Sequence, residues 1–352
     1  MYKELIDKLS KTSSLSAQEY LSLILHRDEI REYAAKKARE KCNQIYGNKI
    51  YIRGLIEFTN YCKNNCYYCG IRAGNNSCER YRLSPEQIIN CADIGYNLGF
   101  RTFVMQGGED PYYTDDMLCS IIRQIKANHP DCAITLSIGE RPFESYAALK
   151  NAGADRYLLR HETINKDHYE TLHPKEMSYD NRQRCIDDLK KLDYQVGVGF
   201  MVGSPGQTDI DLANELIYLK KINPQMVGIG PFIPHKDTPF AKKKAGTAEM
   251  TTFLLSLIRL TLPEVLLPAT TALGTIDVKG REKGILSGAN VLMPNLSPTD
   301  VRGKYLLYDN KICTGDEAAL CLECLKKRIS LTGCEIVTDR GDHFGRRNID
   351  EI

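Results

Sequence analysis

The chain has 352 residues, 42% of them hydrophobic and 26% charged, and its 47 basic and 45 acidic residues leave a formal net charge of +2. With no basic tail or long charge run, nucleic acid is not the expected partner. No apolar stretch reaches the roughly 18 residues of a membrane span, and "MYKELIDKLSKTSS" lacks the apolar core of a signal peptide. A cytoplasmic protein is therefore expected, in which 13 cysteines point to metal or iron–sulfur ligation rather than disulfides.

Residues 1–47 mix charged and apolar positions at helical spacing and are expected to form a helical extension. From residue 48 a repeating unit begins. Strand-like apolar runs occur at "KIYIRGLIEFT", "TFVMQGG", "AITLSIG", "DRYLLRHE", "QVGVGFMVG", "MVGIGPFIP", "LLPATTAL" and "NVLMPN". Helical stretches such as "SPEQIINCADIGYNLG" and "DIDLANELIYLKKI" lie between them, the first with Ser84 at the N-cap and Pro85 at the first helical position. The segment "KGREKGILSGA" is the weakest helix. Eight strands alternating with helices at about 30 residues per unit predict an α/β fold, a (β/α)8 TIM-type barrel over 48–300 with a C-terminal segment over 301–352. A doubly wound open sheet is the alternative.

In a barrel, functional groups collect where the strands end. Here the second run ends in Gln106, Gly107, Gly108 and Glu109, the third in Gly139-Glu140, and the fourth in Arg160-His161-Glu162. The seventh carries Thr270 and Thr271, and the eighth ends at Asn295. Directly after the first strand comes "NYCKNNCYYCG", in which Cys62, Cys66 and Cys69 have the spacing C-x3-C-x2-C. Three thiolates can hold three irons of a [4Fe–4S] cube and leave the fourth open for chemistry. Tyr68 could shield such a cluster from solvent. The competing reading is a zinc site completed by a distant Cys or His. His161 alternates away from its neighbours and is expected behind the barrel wall.

The triad on the first loop, with an aromatic before its last cysteine and "QGGED" after the second strand, resembles the radical S-adenosylmethionine (SAM) enzymes. The blocks "GEDPYY", "RYLLRHET", "GSPGQT", "MVGIGPFIPH" and "PATTALGTI" narrow the resemblance to [FeFe]-hydrogenase maturases of the HydE type, over about residues 48 to 325. Biotin synthase and methylornithine synthase are related. The resemblance implies a [4Fe–4S] cluster whose open iron chelates SAM and which cleaves it reductively to a 5′-deoxyadenosyl radical. It implies that the radical acts on a small cysteine-derived iron/sulfur species during assembly of the di-iron subcluster of the hydrogenase. By motif, Gln106, Gly107, Gly108, Glu109, Glu162 and Arg182 would contact SAM, and Arg160, Thr270, Thr271, Tyr305 and Tyr308 the substrate. An arginine with hydroxyls is by itself a reasonable anion site; its bland alternative is an Arg160–Glu162 ion pair. The expected partners are an electron donor such as ferredoxin or flavodoxin, and other hydrogenase maturases.

Cys313, Cys321 and Cys324 have the spacing C-x7-C-x2-C, which matches the accessory cluster site, [2Fe–2S] or [4Fe–4S], of that family; Cys334 is a weaker candidate. Cys42, Cys78, Cys91, Cys119, Cys132 and Cys185 share no spacing and are expected to be small, mostly core residues. His235 could touch ligand or order its loop. Two other readings stand beside the maturase: a methylornithine-synthase-type radical SAM mutase, and a non-catalytic zinc-binding structural protein.

Overall fold

The computed structural model describes residues 1–312 and 322–346. Six parallel strands form one sheet in chain order: Gly54–Thr59, Thr102–Gly107, Ala133–Ser137, Arg156–Leu158, Gln195–Val198 and Met226–Val227. Single parallel bridges carry the ring onward, Met226 to Leu266, Pro268 to Val291, and Asn295 back to Leu55 on the first strand. The sheet is thus closed, and the open-sheet alternative falls. The inner strands are buried on both faces, as the helices of a barrel require.

Local chemistry sets the helix starts. Ser84 and Gln87 form a capping box with Pro85 in the first turn of Pro85–Asn97, and Thr208 and Asp211 do the same for Asp209–Ile222. Three helices, Tyr2–Thr12, Ala17–Leu25 and Arg27–Tyr46, make up the expected N-terminal extension. Ala34 and Ala38 are fully buried on the third of them, and the Tyr20 hydroxyl lies 2.7 Å from that of Thr261 on Ala248–Thr261. No helix among the described residues is long and apolar enough to cross a membrane.

One expectation is refined and one corrected. The run 49–59 is two strands, Lys49–Ile52 and Gly54–Thr59, interrupted at Arg53 but both lying along the eighth run: the Tyr51, Arg53 and Leu55 N–H groups donate in turn to Asn290, Leu292 and Pro294 O. Lys49–Ile52 also pairs with Glu335–Val337, and Gly54–Thr59 with the second barrel strand. The seventh run, "LLPATTAL", contributes only the bridges at Leu266 and Pro268 to the ring; from Thr271 to Ile276 it is helix, with Thr270 as the N-cap. The weak seventh helix is real but short, Gly280–Leu286.

After the eighth strand the chain crosses the mouth of the barrel. Lys304 O accepts from Asn60 Nδ2 (2.7 Å), Leu307 O from the Gly70 N–H (2.9 Å), and the Asp309 N–H donates to Pro234 O (3.1 Å). Residues 304–312 are in this way stitched to the loops after the first and sixth strands. Further on, Asp342 plugs the opposite end, 2.5 Å from the fully buried Arg156 guanidinium.

Candidate active site at the mouth of the barrel

The loop that carries Cys62, Cys66 and Cys69 is held from several sides. The Lys63 N–H donates to Glu109 O (2.9 Å), the Tyr67 N–H to Leu172 O (3.0 Å), and the Cys69 N–H back to Cys66 O (3.3 Å). Arg80 is its main staple: Nη1 donates to Asn60 O and Ile71 O (2.5 and 2.8 Å), Nη2 to Arg72 O and Asn75 O (2.7 and 3.2 Å). One guanidinium thereby ties both ends of the loop, a role no local motif announces. Gly108 lets the second strand end approach this loop, because a Cβ there would lie 2.2 Å from Tyr61 O and 2.7 Å from the Cys62 Cβ.

All three cysteines remain partly open at the mouth, although protein packs around them. Burial, and then the neighbouring Cys62, push the Cys66 thiol up to about 12. Burial, then Cys66 and Cys62, push Cys69 up as well. Cys66 therefore lies in the field of Cys62, and Cys69 in the fields of both. The positive charge of bound iron reverses this penalty and favours the thiolates. Among the described residues no three His, Cys, Asp or Glu side chains converge on one point as a single ion needs. A cube instead takes one sulfur per iron and wants its thiolates spread apart, so the donor set fits a [4Fe–4S] cluster.

Around the triad stand the strand ends. Glu109 Oε1 accepts the Glu140 N–H (2.9 Å), and Oε2 lies 3.3 Å from Lys63 Nζ. The Glu109 side chain rests on Gly139, where φ is +79° and a Cβ would sit 2.0 Å from the Glu109 Cγ. Gln106 Nε2 reaches the Tyr305 hydroxyl at 3.4 Å. Arg182 is buried; its Nε donates to Glu140 Oε1 (2.5 Å) and its Nη1 to Arg160 O (2.6 Å). Burial opposes its charge, but the ion pair with Glu140 outweighs that. Its field reaches Cys66. Glu140, which orients Arg182, was legible only as a strand end. A cavity of about 460 Å³ opens beside it, lined by Lys63, Glu140, Arg141, Phe143 and Asn181 among others.

Arg160 and Glu162 do approach each other, Nη2 to Oε2 at 3.1 Å, with the carboxylate oxygen buried. Yet Arg160 Nε and Nη2 and Glu162 Oε2 make no aligned hydrogen bond. The bland alternative, an Arg160–Glu162 ion pair, is thus present, although the two groups are not aligned for a hydrogen bond. His161 is behind the wall as expected, fully buried, with Nε2 2.7 Å from Glu215.

The Tyr68 hydroxyl lies 3.1 Å from His173 Nε2, and His173 Nδ1 lies 2.9 Å from Tyr169 O. Burial holds His173 down to about 3, so it is neutral; the carbonyl then assigns the proton to Nδ1, and Tyr68 donates to Nε2. Met177 Sδ lies 3.5 Å from Cys66 Sγ. No spacing in the sequence signalled His173 or Met177.

Of the expected substrate residues, Tyr305 is buried on the crossing segment, and Cys69 and Cys62 add to the effect of burial and Glu57 in pushing its hydroxyl up. Tyr308 is half-buried on the same segment. Thr270 is not a strand residue: its hydroxyl accepts the Leu273 N–H at 3.4 Å as a helix cap, and Thr271 opens that helix. Thr270 still faces the sixth strand's end, 3.0 Å from where a Gly230 Cβ would be. His235 orders its loop, accepting the Asp237 N–H at Nδ1 (3.1 Å) and packing on Gly70. Cys324 lies on the helix Leu322–Ser330, whereas Cys313 and Cys321 fall outside the described residues. Cys334 is buried in the core, as are Cys42, Cys91, Cys119, Cys132 and Cys185; Cys78 is half-buried.

The radical SAM superfamily profile matches residues 56–217. The chain is 43% identical over 349 residues to the [FeFe] hydrogenase maturase subunit HydE of Thermotoga maritima, covering 99% of both chains. It is 28% identical over 296 residues to a 3-methylornithine synthase of Methanosarcina acetivorans, covering 84% of this chain and 80% of that one. In fold it superposes on a crystal structure of methylornithine synthase with a TM-score of 0.83 at 24% identity, covering 95% and 97% of the two chains. For the [FeFe]-hydrogenase maturase HydG the TM-score is 0.79 at 21% identity, covering 95% and 75%. With the triad on the first loop of a closed barrel and that identity over nearly its full length, the chain belongs to the radical SAM superfamily and, within it, to the HydE-type hydrogenase maturases.

Proposed function

We propose that Cys62, Cys66 and Cys69 hold a [4Fe–4S] cluster by three of its irons, and that SAM binds at the fourth against Tyr68, Gln106, Gly107, Gly108, Glu109, Glu162 and Arg182. When bound, these groups supply reductive cleavage of a carbon–sulfur bond of SAM to a 5′-deoxyadenosyl radical. The chain's own residues do the positioning. Arg80 keeps the cysteine loop in one shape, and Arg182, fixed by Glu140, presents a permanent cation to the SAM carboxylate. Glu162 offers an unfilled carboxylate oxygen, and Arg160 unfilled N–H groups. Arg160, Thr270, Thr271, Tyr305 and Tyr308 are read as the grip on a small cysteine-derived iron/sulfur substrate used in di-iron subcluster assembly. The segment 304–312 across the mouth limits the access of water to that space.

By the same family reading, Cys313, Cys321 and Cys324 hold an accessory [2Fe–2S] or [4Fe–4S] cluster. A ferredoxin or flavodoxin supplies the electron, other hydrogenase maturases are partners, and the protein works in the cytoplasm. The barrel over 48–300 is the catalytic unit, flanked by the extension over 1–47 and the segment over 301–352.

The observation that supports the reading best is a single loop, stapled by Arg80, that presents Cys62, Cys66 and Cys69 at the mouth, with Cys66 in the fields of Cys62, Arg182 and Glu162. Anaerobic reconstitution, followed by iron and sulfide counts and by assay of 5′-deoxyadenosine from SAM and dithionite, tests it. Cys66→Ala should abolish cleavage. Cleavage that persists in that variant, or a wild-type protein that retains zinc and cleaves nothing, would overturn the reading.

A further inference from the structure

Glu162 occupies the left-handed region, with φ +67°. Among the described residues five non-glycines have positive φ, and the other four, Ser13, Asp193, Asn223 and Asn310, are short polar residues. Asn and Asp in particular tolerate this region. A glutamate has no such local compensation, so its conformation must be imposed by its surroundings.

The constraints can be named. The Glu162 N–H donates to Gly199 O at 3.0 Å, and Glu162 bridges to Phe200 on the neighbouring chain segment of the ring. Behind the wall, the Glu215 carboxylate on Asp209–Ile222 accepts twice. Oε2 takes the His161 Nε2 proton at 2.7 Å, and Oε1 takes the Ile164 N–H at 2.8 Å. One fully buried carboxylate thus grips the chain on both sides of Glu162. Asp211, one turn earlier on the same helix, adds a bond from Asn165 Nδ2 at 2.8 Å. An ionised carboxylate only accepts, so Nε2 of His161 carries the hydrogen, while Nδ1 has no partner. His161 packs against Tyr218 and Phe200.

We infer that Glu215 and His161 are positioning residues for the mouth. By clamping residues 161 and 164 they hold Glu162 in its left-handed conformation, and so aim its carboxylate at SAM. The inference rests on the reading of Glu162 as a SAM contact. Neither Glu215 nor His161 touches the mouth, and their effect is on the affinity for SAM rather than on the chemical step.

Glu215→Leu keeps the approximate size but has no acceptor, so it releases both His161 and Ile164, whereas a glutamine could keep both by donating to the other His161 tautomer. His161→Phe removes the donor and fills the space. The reconstituted, dithionite-reduced proteins are titrated with SAM, and the change in the electron paramagnetic resonance of the cluster is followed. Thermal melting and the KM and kcat of SAM cleavage are measured in parallel. Both variants should need about tenfold more SAM for half-maximal change, with KM rising alike and kcat falling far less. His161→Gln, which restores a donor toward Glu215, should recover much of the affinity. Should Glu215→Leu not accumulate folded, Glu215→Asp, too short to hold both donors, is read in the same way. Half-maximal change at the wild-type SAM concentration in these variants, whatever their melting temperatures, overturns the inference. A wild-type protein whose spectrum does not respond to SAM overturns the cofactor reading instead.

Discussion

Glu57 and Lys311, 254 positions apart in the chain, form an ion pair at 2.5 Å with side chains 1% and 6% exposed. Glu57 lies on the first barrel strand and Lys311 on the segment that crosses the mouth. Asn295 Nδ2 donates to the second Glu57 oxygen at 2.8 Å, and Lys311 also donates to Tyr305 O at 2.8 Å, with its ammonium 4.8 Å from the Tyr305 ring centre. The pair therefore anchors the crossing segment and seats Tyr305.

Lys311→Met should destabilise the protein by about 3–5 kcal/mol, because it leaves the Glu57 carboxylate buried without its cation. The double variant with Glu57→Gln should recover most of that loss, since no lone charge remains. Chemical denaturation of both variants measures the difference.

Gly108→Ala is expected to weaken cluster assembly. The added Cβ meets the Tyr61 carbonyl and Cys62, and the cysteine loop must shift, at a cost of about 1–3 kcal/mol. Iron and sulfide per chain after reconstitution should fall while far-ultraviolet circular dichroism is unchanged. Wild-type iron content in the variant would contradict the close approach.

Thr270→Ala should lower stability by about 1 kcal/mol through loss of the helix cap, and Thr270→Ser should restore it. If the hydroxyl also meets substrate, substrate KM follows the same pattern in the two variants. Unchanged KM in Thr270→Ala would leave the cap as its whole role.

Asp342 predicts a pH dependence of stability. Burial would raise its carboxyl, but Arg156, Arg340 and Gln195 prevail and hold it well below its ordinary value of 3.8. A depressed folded value means that the stabilisation is complete above about pH 4 and is lost as pH falls through the folded value. Asp342→Asn should cost about 3 kcal/mol at neutral pH by leaving Arg156 buried without its carboxylate. It should also flatten the acid limb of the stability curve. Melting temperatures between pH 2 and 7 provide the check.

Much of what lines the mouth of the barrel was legible because its signals are local. The three cysteines fall within eight positions of one loop. The helices Pro85–Asn97 and Asp209–Ile222 announce themselves by capping residues adjacent in sequence to the helices they start. The failures arose where one pattern serves two structures. "LLPATTAL" is short, apolar and β-branched, which suits a strand, but its second half is a helix that begins at the Thr270 cap. "KIYIRGLIEFT" runs along the eighth strand throughout, but on its other side its first half meets Glu335–Val337 and its second half the second strand, and such pairing is not written in the strand itself.

The sequence by itself determined the architecture, through the alternation that closes a barrel, and the local patterns on which the site is proposed: the cysteine spacing and the strand-end glycines and acids. Only the tertiary structure decided what holds those groups. Arg182 meets Glu140 across 42 positions, His161 meets Glu215 across 54, and Glu57 meets Lys311 across 254. Such partners have no fixed spacing, because a buried charge needs only a complementary group at bonding distance, and folding can bring that group from anywhere in the chain.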